Sequence, residues 1–230
     1  MINKNVLITG ASSGIGYQLA LRLLAEEYNV IVGSRNIKDD FGKKFQDYSK
    51  VYPVNVDVTK ENSIKKMFEN IKNNFAKLDF LINNAGFVEP TGILETTLKN
   101  WNRTINTNLR GTFLCTKYAI NLMKQNGGKI INISSTAGLT PRPGWSAYAA
   151  AKSGIIGFSQ AIAEELRIYN IKMFIICPGR TATPLRRILA PNEDPTSIMQ
   201  PNEVVNIIKY CMTNEGDVLE GQPILVRQRY

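Results

Sequence analysis

Short β-branched runs alternate with helical stretches along the whole chain, and that alternation limits its fold more than any other feature. VLIT (6–9), NVIVG (29–33), VYPVNV (51–56), DFLIN (79–83), KIINIS (129–134), IKMFII (171–176) and PILV (223–226) read as seven strands. Most are near-continuous apolar runs, as expected of strands buried on both faces of a parallel sheet. Helical stretches fall between them at 15–27, about 61–76, 97–125, 147–169 and 201–213. In the first, Ile15, Leu19, Leu23 and Leu24 recur at helical spacing. Parallel strands joined through helices require right-handed crossovers, so a doubly wound α/β sheet is expected. The 230 residues suit one large domain, 1–230, and are too few for two comfortable ones. PLRRILAPNEDPTSIMQP (184–201) is the long irregular stretch and is expected to be a substrate lid.

LITGASSGIGYQLA follows the first strand and opens the first helix. Gly10 permits a tight turn, Gly14 lets the backbone approach a ligand, and Gly16 lets helix and strand pack closely. Free amides at the helix start then face an anion such as a pyrophosphate. A dinucleotide is the ligand this placement favours.

Several functions are disfavoured. Cys115, Cys177 and Cys211 are odd in number and in no CxxC pair, which reads as reduced thiols without a disulfide framework or metal site. No stretch approaches the ~20 apolar residues of a membrane span, and the start of the chain resembles no signal peptide. A cytoplasmic protein with no membrane partner is expected. The net charge of +9 is uneven: no carboxylate lies between Glu95 and Glu164, where eight basic residues stand. A field of one sign suits an anionic ligand, and a basic outer face explains it equally. No nucleic-acid-binding module accompanies it, so nucleic acid is not expected as a partner.

The chain contains no histidine, so any proton chemistry must use other groups. In WSAYAAAKSGIIGF (145–158), Tyr148 and Lys152 stand four apart on one helical face. A free tyrosine has a pKa near 10, too high for efficient proton exchange near neutrality. A lysine charge one turn away, together with the charge of an oxidised cofactor, favours phenolate, with an expected lowering of roughly 1–3 units. Ser135 follows directly at the end of the strand KIINIS, where a doubly wound sheet places its ligand, and would hydrogen-bond an oxygen on which charge develops.

Taken together, TGASSGIG (9–16), NNAG (83–86), Ser135 with the Tyr148–Lys152 pair, and Pro178 to Thr183 as PGxxxT resemble the short-chain dehydrogenase/reductase family. The likeness runs from Asn5 to about Thr183. It implies a Rossmann-type fold, a nicotinamide cofactor and a carbonyl or alcohol substrate. It also implies cofactor contacts from Gly10, Ser12, Ser13, Gly14, Ile15 and Gly16, from Asp57 and Val58 at the adenine, from Asn84, Ala85 and Gly86, and from Pro178, Gly179, Thr181 and Thr183. Tyr148 would be the proton donor and acceptor, and Lys152 would also hold the nicotinamide ribose. Asn108, in NTNLRG, matches a fourth catalytic position that supports a water relay to the lysine. The chain departs from relatives at Thr181, usually aliphatic, in its short lid, and in PILVRQRY, which lacks their Asp-Gly-Gly ending.

NADP(H) is expected over NAD(H). The second strand ends at Ser34 and Arg35, where an NAD-using fold carries an acid for the ribose hydroxyls. The Arg35 guanidinium suits a 2′-phosphate, and Asp39 and Asp40 come too late to serve as the ribose acid. Substrate candidates are 3-oxoacyl thioesters, small ketones, and sugars or polyols with their phosphates. Arg142, Arg186 and Arg187 are the candidate anion grips, and solvated surface charges explain them equally. A homodimer or homotetramer is expected from the apolar, small-residue surface of 97–125 and 147–169. The alternative to an oxidoreductase is a catalytically silent cofactor-binding sensor or scaffold.

Overall fold

The computed structural model describes residues 4–36, 45 and 47–228, so Asp39 and Asp40 lie outside the described residues. Seven parallel strands form one sheet: β1 (Asn5–Thr9), β2 (Asn29–Ser34), β3 (Val51–Asn55), β4 (Phe80–Asn83), β5 (Gly128–Ile133), β6 (Ile171–Pro178) and β7 (Pro223–Val226). Their order across the sheet is β3-β2-β1-β4-β5-β6-β7. The direction of winding therefore reverses between β1 and β4, and the crevice at their C-terminal ends is where such sheets bind ligands.

Strand alternation divides the core into two layers. Val6, Ile8, Val30 and Val32 point to one face, where Leu19 and Leu23 of α1 (Gly14–Ala25) pack with Val204 and Ile208 of α7 (Pro201–Met212). Leu7, Ile31 and Leu81 point to the other. There Ile64 and Ile71 of α2 (Glu61–Asn74) pack with Leu114 and Ala119 of α4 (Gly111–Met123). In-register neighbours such as Leu7, Ile31 and Leu81 stack across the sheet and exclude water from both faces.

The expected helix over 97–125 is two helices, α3 (Leu98–Ile105) and α4, joined by a π turn at Asn106–Arg110. The cause is local. The Asn108 side-chain amide donates to the Thr104 carbonyl at 2.8 Å, taking the acceptor that an α-helical backbone would use there. The 147–169 stretch forms α5 (Ser146–Leu166) and ends in a 3₁₀ turn. The 184–201 stretch is also more regular than expected. Thr183 accepts from the Arg186 amide and Pro184 starts α6 (Pro184–Leu189), a helix too short to show periodicity. A bridge between Thr181 and Met199 closes the base of this segment.

Candidate functional site

The glycine turn is sewn to the end of β4. Gly10 has φ 69°, and a Cβ there would come within 2.7 Å of the Ala85 Cα. Asn84 donates to the carbonyls of Thr9 and Gly10 at 3.1 and 2.9 Å, while the Asn84 and Ala85 amides donate to Thr9 Oγ1. Ser13, the residue capping α1, makes no side-chain capping bond, and no acid stands in the first turn. The first amides of α1 are left for an anion. At Gly14, φ is 57° and Thr183 closes in from the opposite wall, 3.2 Å from where a Cβ would stand.

Between these walls lies a cleft of about 400 Å³, lined by Gly10, Ser12, Ser13, Gly14, Ile15, Ser34, Arg35, Asp57, Val58, Asn84, Ala85 and Gly86. Ser135, Tyr148, Lys152, Pro178, Gly179, Thr181 and Thr183 line it as well. Two expected site residues do not. Gly16 lies behind the turn, where a Cβ would stand 2.4 Å from the Asn84 amide nitrogen and 2.6 Å from the Gly10 carbonyl oxygen. Asn108 is fully buried and bonds to Phe87 and Thr104, with none of its hydrogen bonds reaching Lys152.

At the end of β2 the Ser34 hydroxyl is buried without a hydrogen-bond partner among the described residues, beside Arg35 on the cleft wall. Burial pushes the Asp57 carboxyl up, but hydrogen bonds from Thr59 and the charges of Lys60 and Arg35 hold it below its ordinary range. An orphan hydroxyl, a guanidinium and a free helix start all suit the phosphates of a dinucleotide, so the residues present fit that cofactor.

At the other end of the cleft, Tyr148 and Lys152 are both buried, with relative exposures of 7% and 4%. Burial pushes the Tyr148 phenol up to about 12, and the adjacent Ser135 hydroxyl opposes that rise. In the protein alone the direction is opposite to the lowering expected with an oxidised cofactor in place. The Lys152 ammonium lies 5.6 Å from the Tyr148 ring centroid and donates instead to the Ile133 carbonyl at 2.8 Å. Burial lowers Lys152 to about 8, with Cys177 pulling the other way. Desolvation disfavours the charged form of each group, which explains the two opposite directions.

The expected anion grips are sorted by the lid. Arg142 lines the cleft. Arg186 does too, but both its Nε and an NH₂ group donate to Glu193, at 2.5 and 2.6 Å. Those bonds hold the Glu193 carboxyl below its ordinary value. Arg187 lines a separate hollow under the lid. Two cleft arginines escaped the sequence reading: Arg103, stacked 3.9 Å over the Phe87 ring, and Arg180, paired with Glu193 at 3.2 Å. Arg103 belongs to no motif and Arg180 fills a variable position of PGxxxT, so only the fold brings them in.

A family model described as short chain dehydrogenase matches residues 4–194. Among curated proteins, a 3-oxoacyl-[acyl-carrier-protein] reductase of Thermotoga maritima is 33% identical over 96% of this chain and 95% of its own length. One of Synechocystis sp. is 34% identical over 90% and 88%. Among solved structures, ElxO with NADP bound is 30% identical with a TM-score of 0.89, covering 98% of this chain and 97% of that one. A 3-ketoacyl-(acyl-carrier-protein) reductase from Brucella melitensis complexed with NADH is 25% identical with the same TM-score, covering 97% and 96%.

Proposed function

Because the chain belongs to the short-chain dehydrogenase family, a family of oxidoreductases, we propose that it interconverts a carbonyl and a secondary alcohol using NADP(H). The observation that carries this reading is Tyr148 at the inner end of the cleft, flanked by Ser135 and anchored on the same helix as buried Lys152. The cofactor, when bound, supplies or accepts the hydride. The chain's own residues manage the oxygen. The Tyr148 phenol, protonated at neutral pH, gives its proton to the carbonyl oxygen in reduction and takes it back in oxidation. Ser135 donates to that oxygen as charge develops. Lys152 contributes a fixed cation and holds the ribose.

The preference for NADP(H) rests on Ser34 and Arg35, and NAD(H) is the weaker alternative. Among the substrate candidates, 3-oxoacyl thioesters draw support from the names of the curated relatives. Small ketones, and sugars or polyols, are the other classes to test. A silent sensor has no use for the whole Ser135, Tyr148 and Lys152 set. Self-association is part of the same proposal, supported by Leu98, Trp101 and Phe113 exposed on α3 and α4, with Phe113 edge-on to Phe158 of α5. A reducing, cytoplasmic setting suits the three buried free thiols. The deciding experiment is a carbonyl panel, with 3-oxoacyl thioesters, ketones and sugars, read by NADPH absorbance. Cofactor consumption with none of them would overturn the enzyme reading.

A further inference from the structure

The segment after β5 and the helix turn at Lys152 are fastened together from both sides. Ser134, 3% exposed, donates its hydroxyl to the Lys152 main-chain carbonyl at 2.8 Å. Ser153 donates its own hydroxyl back to the Gly138 carbonyl at 2.7 Å. Between the two bonds the backbones touch. A Cβ on Gly138 would come within 2.8 Å of the Lys152 carbonyl carbon, 2.9 Å of its oxygen and 3.0 Å of the Ser153 nitrogen. Ser135 lies inside this clasp, its Oγ accepting from the Ala137 amide at 3.1 Å. Tyr148 lies one helical turn before it.

We propose that Ser134 and Ser153 are positioning residues that fix the separation of Ser135 from Tyr148 and Lys152, with Gly138 setting how closely strand end and helix approach. The inference rests on the reading of Ser135, Tyr148 and Lys152 as the catalytic set. Nothing in α5 itself calls for the clasp. The Lys152 carbonyl lies inside a continuous helix and has a helical partner already, so the Ser134 hydroxyl uses its second lone pair. Removing that hydroxyl leaves no orphaned acceptor and should leave the fold largely intact. What it releases is the spacing. Proton transfer needs heavy atoms within about 2.6–3.2 Å of each other, and a misplacement of about 1 Å costs on the order of a hundredfold in rate.

The test compares Ser134→Ala, Ser153→Ala, the double variant and Ser153→Thr with the wild type, in the NADPH-dependent reduction of whichever carbonyl the panel identifies. In the double variant kcat should fall about ten- to a hundredfold, while KM and the NADPH Kd move by no more than about threefold. Ser153→Thr, which keeps the hydroxyl on an exposed position, should restore the rate lost in Ser153→Ala. The alkaline limb of the pH–rate profile should move upward in the double variant, because a loosened Lys152 regains water. The titratable groups facing that ammonium are Cys177 on β6 and Tyr148 on its own helix; the Ser134 hydroxyl also reaches the Cys177 thiol, so the limb is read in Ser153→Ala too, which leaves both groups untouched. An unchanged kcat and limb in the double variant would overturn the proposal, as would a loss that merely follows a fallen Tm and is not rescued by threonine. Should the double variant not fold, the Ser153 pair decides alone. An active Tyr148→Phe would instead sink the catalytic reading beneath it.

Discussion

The Lys152 ammonium donates to the Ile133 carbonyl at 2.8 Å and stands 5.6 Å from the Tyr148 ring centroid, so lysine and tyrosine titrate from separate places in one buried site. Lys152 carries its charge below about 8, and Tyr148 keeps its proton to about 12. Carbonyl reduction should therefore be level near neutral pH and fall above about 8 as the cation is lost. The pH dependence of kcat/KM with NADPH measures this, and a limb that persists in Lys152→Met would assign it to another group.

The same shift predicts a pH-dependent stability. The folded-state value of Lys152 lies below its ordinary 10.5. Between about pH 8 and 10.5 the unfolded chain binds more protons, so stability should rise with pH across that window. Tyr148, raised above 10, works oppositely from about pH 10 to 12. Relative to Lys152→Met, the wild type should gain on the order of 2–3 kcal/mol between pH 7 and pH 10. Denaturant unfolding at the two pH values reads the difference.

Tyr148→Phe should lower kcat by roughly 10²–10⁴-fold while NADPH binding, followed by fluorescence, changes little. Lys152→Ala should damage both. A phenylalanine variant at near wild-type rate would remove the tyrosine from the chemistry.

Arg35→Ala should shift the ratio of kcat/KM values for NADPH and NADH toward NADH by about ten- to a hundredfold. That is the worth of one charge-assisted contact of roughly 1.5–3 kcal/mol. The glycine turn carries Ser12 and Ser13 and no second basic residue, so the wild-type preference should be correspondingly modest. A wild-type preference for NADH would contradict the reading of Arg35.

Light scattering at micromolar concentration should give a mass twice or four times the 25.7 kDa of the chain. Phe113→Glu, on the exposed face of α4, should lower it.

Much of this site is readable in the chain because its pieces depend on local sequence. The glycine turn needs positive φ at Gly10 and Gly14, and the strands need apolar runs, so both leave a residue-level trace. The π turn leaves none, since it depends on whether the Asn108 amide outcompetes a backbone donor for the Thr104 carbonyl. The pairing of Arg186 is hidden in the sequence for a related reason. Its partner Glu193 is seven residues away across a short helix and a turn, and no periodicity relates them. The direction of the Tyr148 shift depends on burial by residues distant in sequence, which motif spacing does not encode.

Three consecutive residues at the end of β5 face three different tasks: Ile133 receives the lysine, Ser134 holds the helix, and Ser135 meets the tyrosine. A strand advances about 3.3 Å per residue and turns its side chains over at each step. A single insertion or deletion there would hand every task to the wrong neighbour. The 139–145 loop and the segment between Thr183 and Met199 have no such ruler, because neither runs along a strand whose every residue is paired in register. Evolution toward a new substrate therefore has its room in those two loops, while the strand end counts residues one by one.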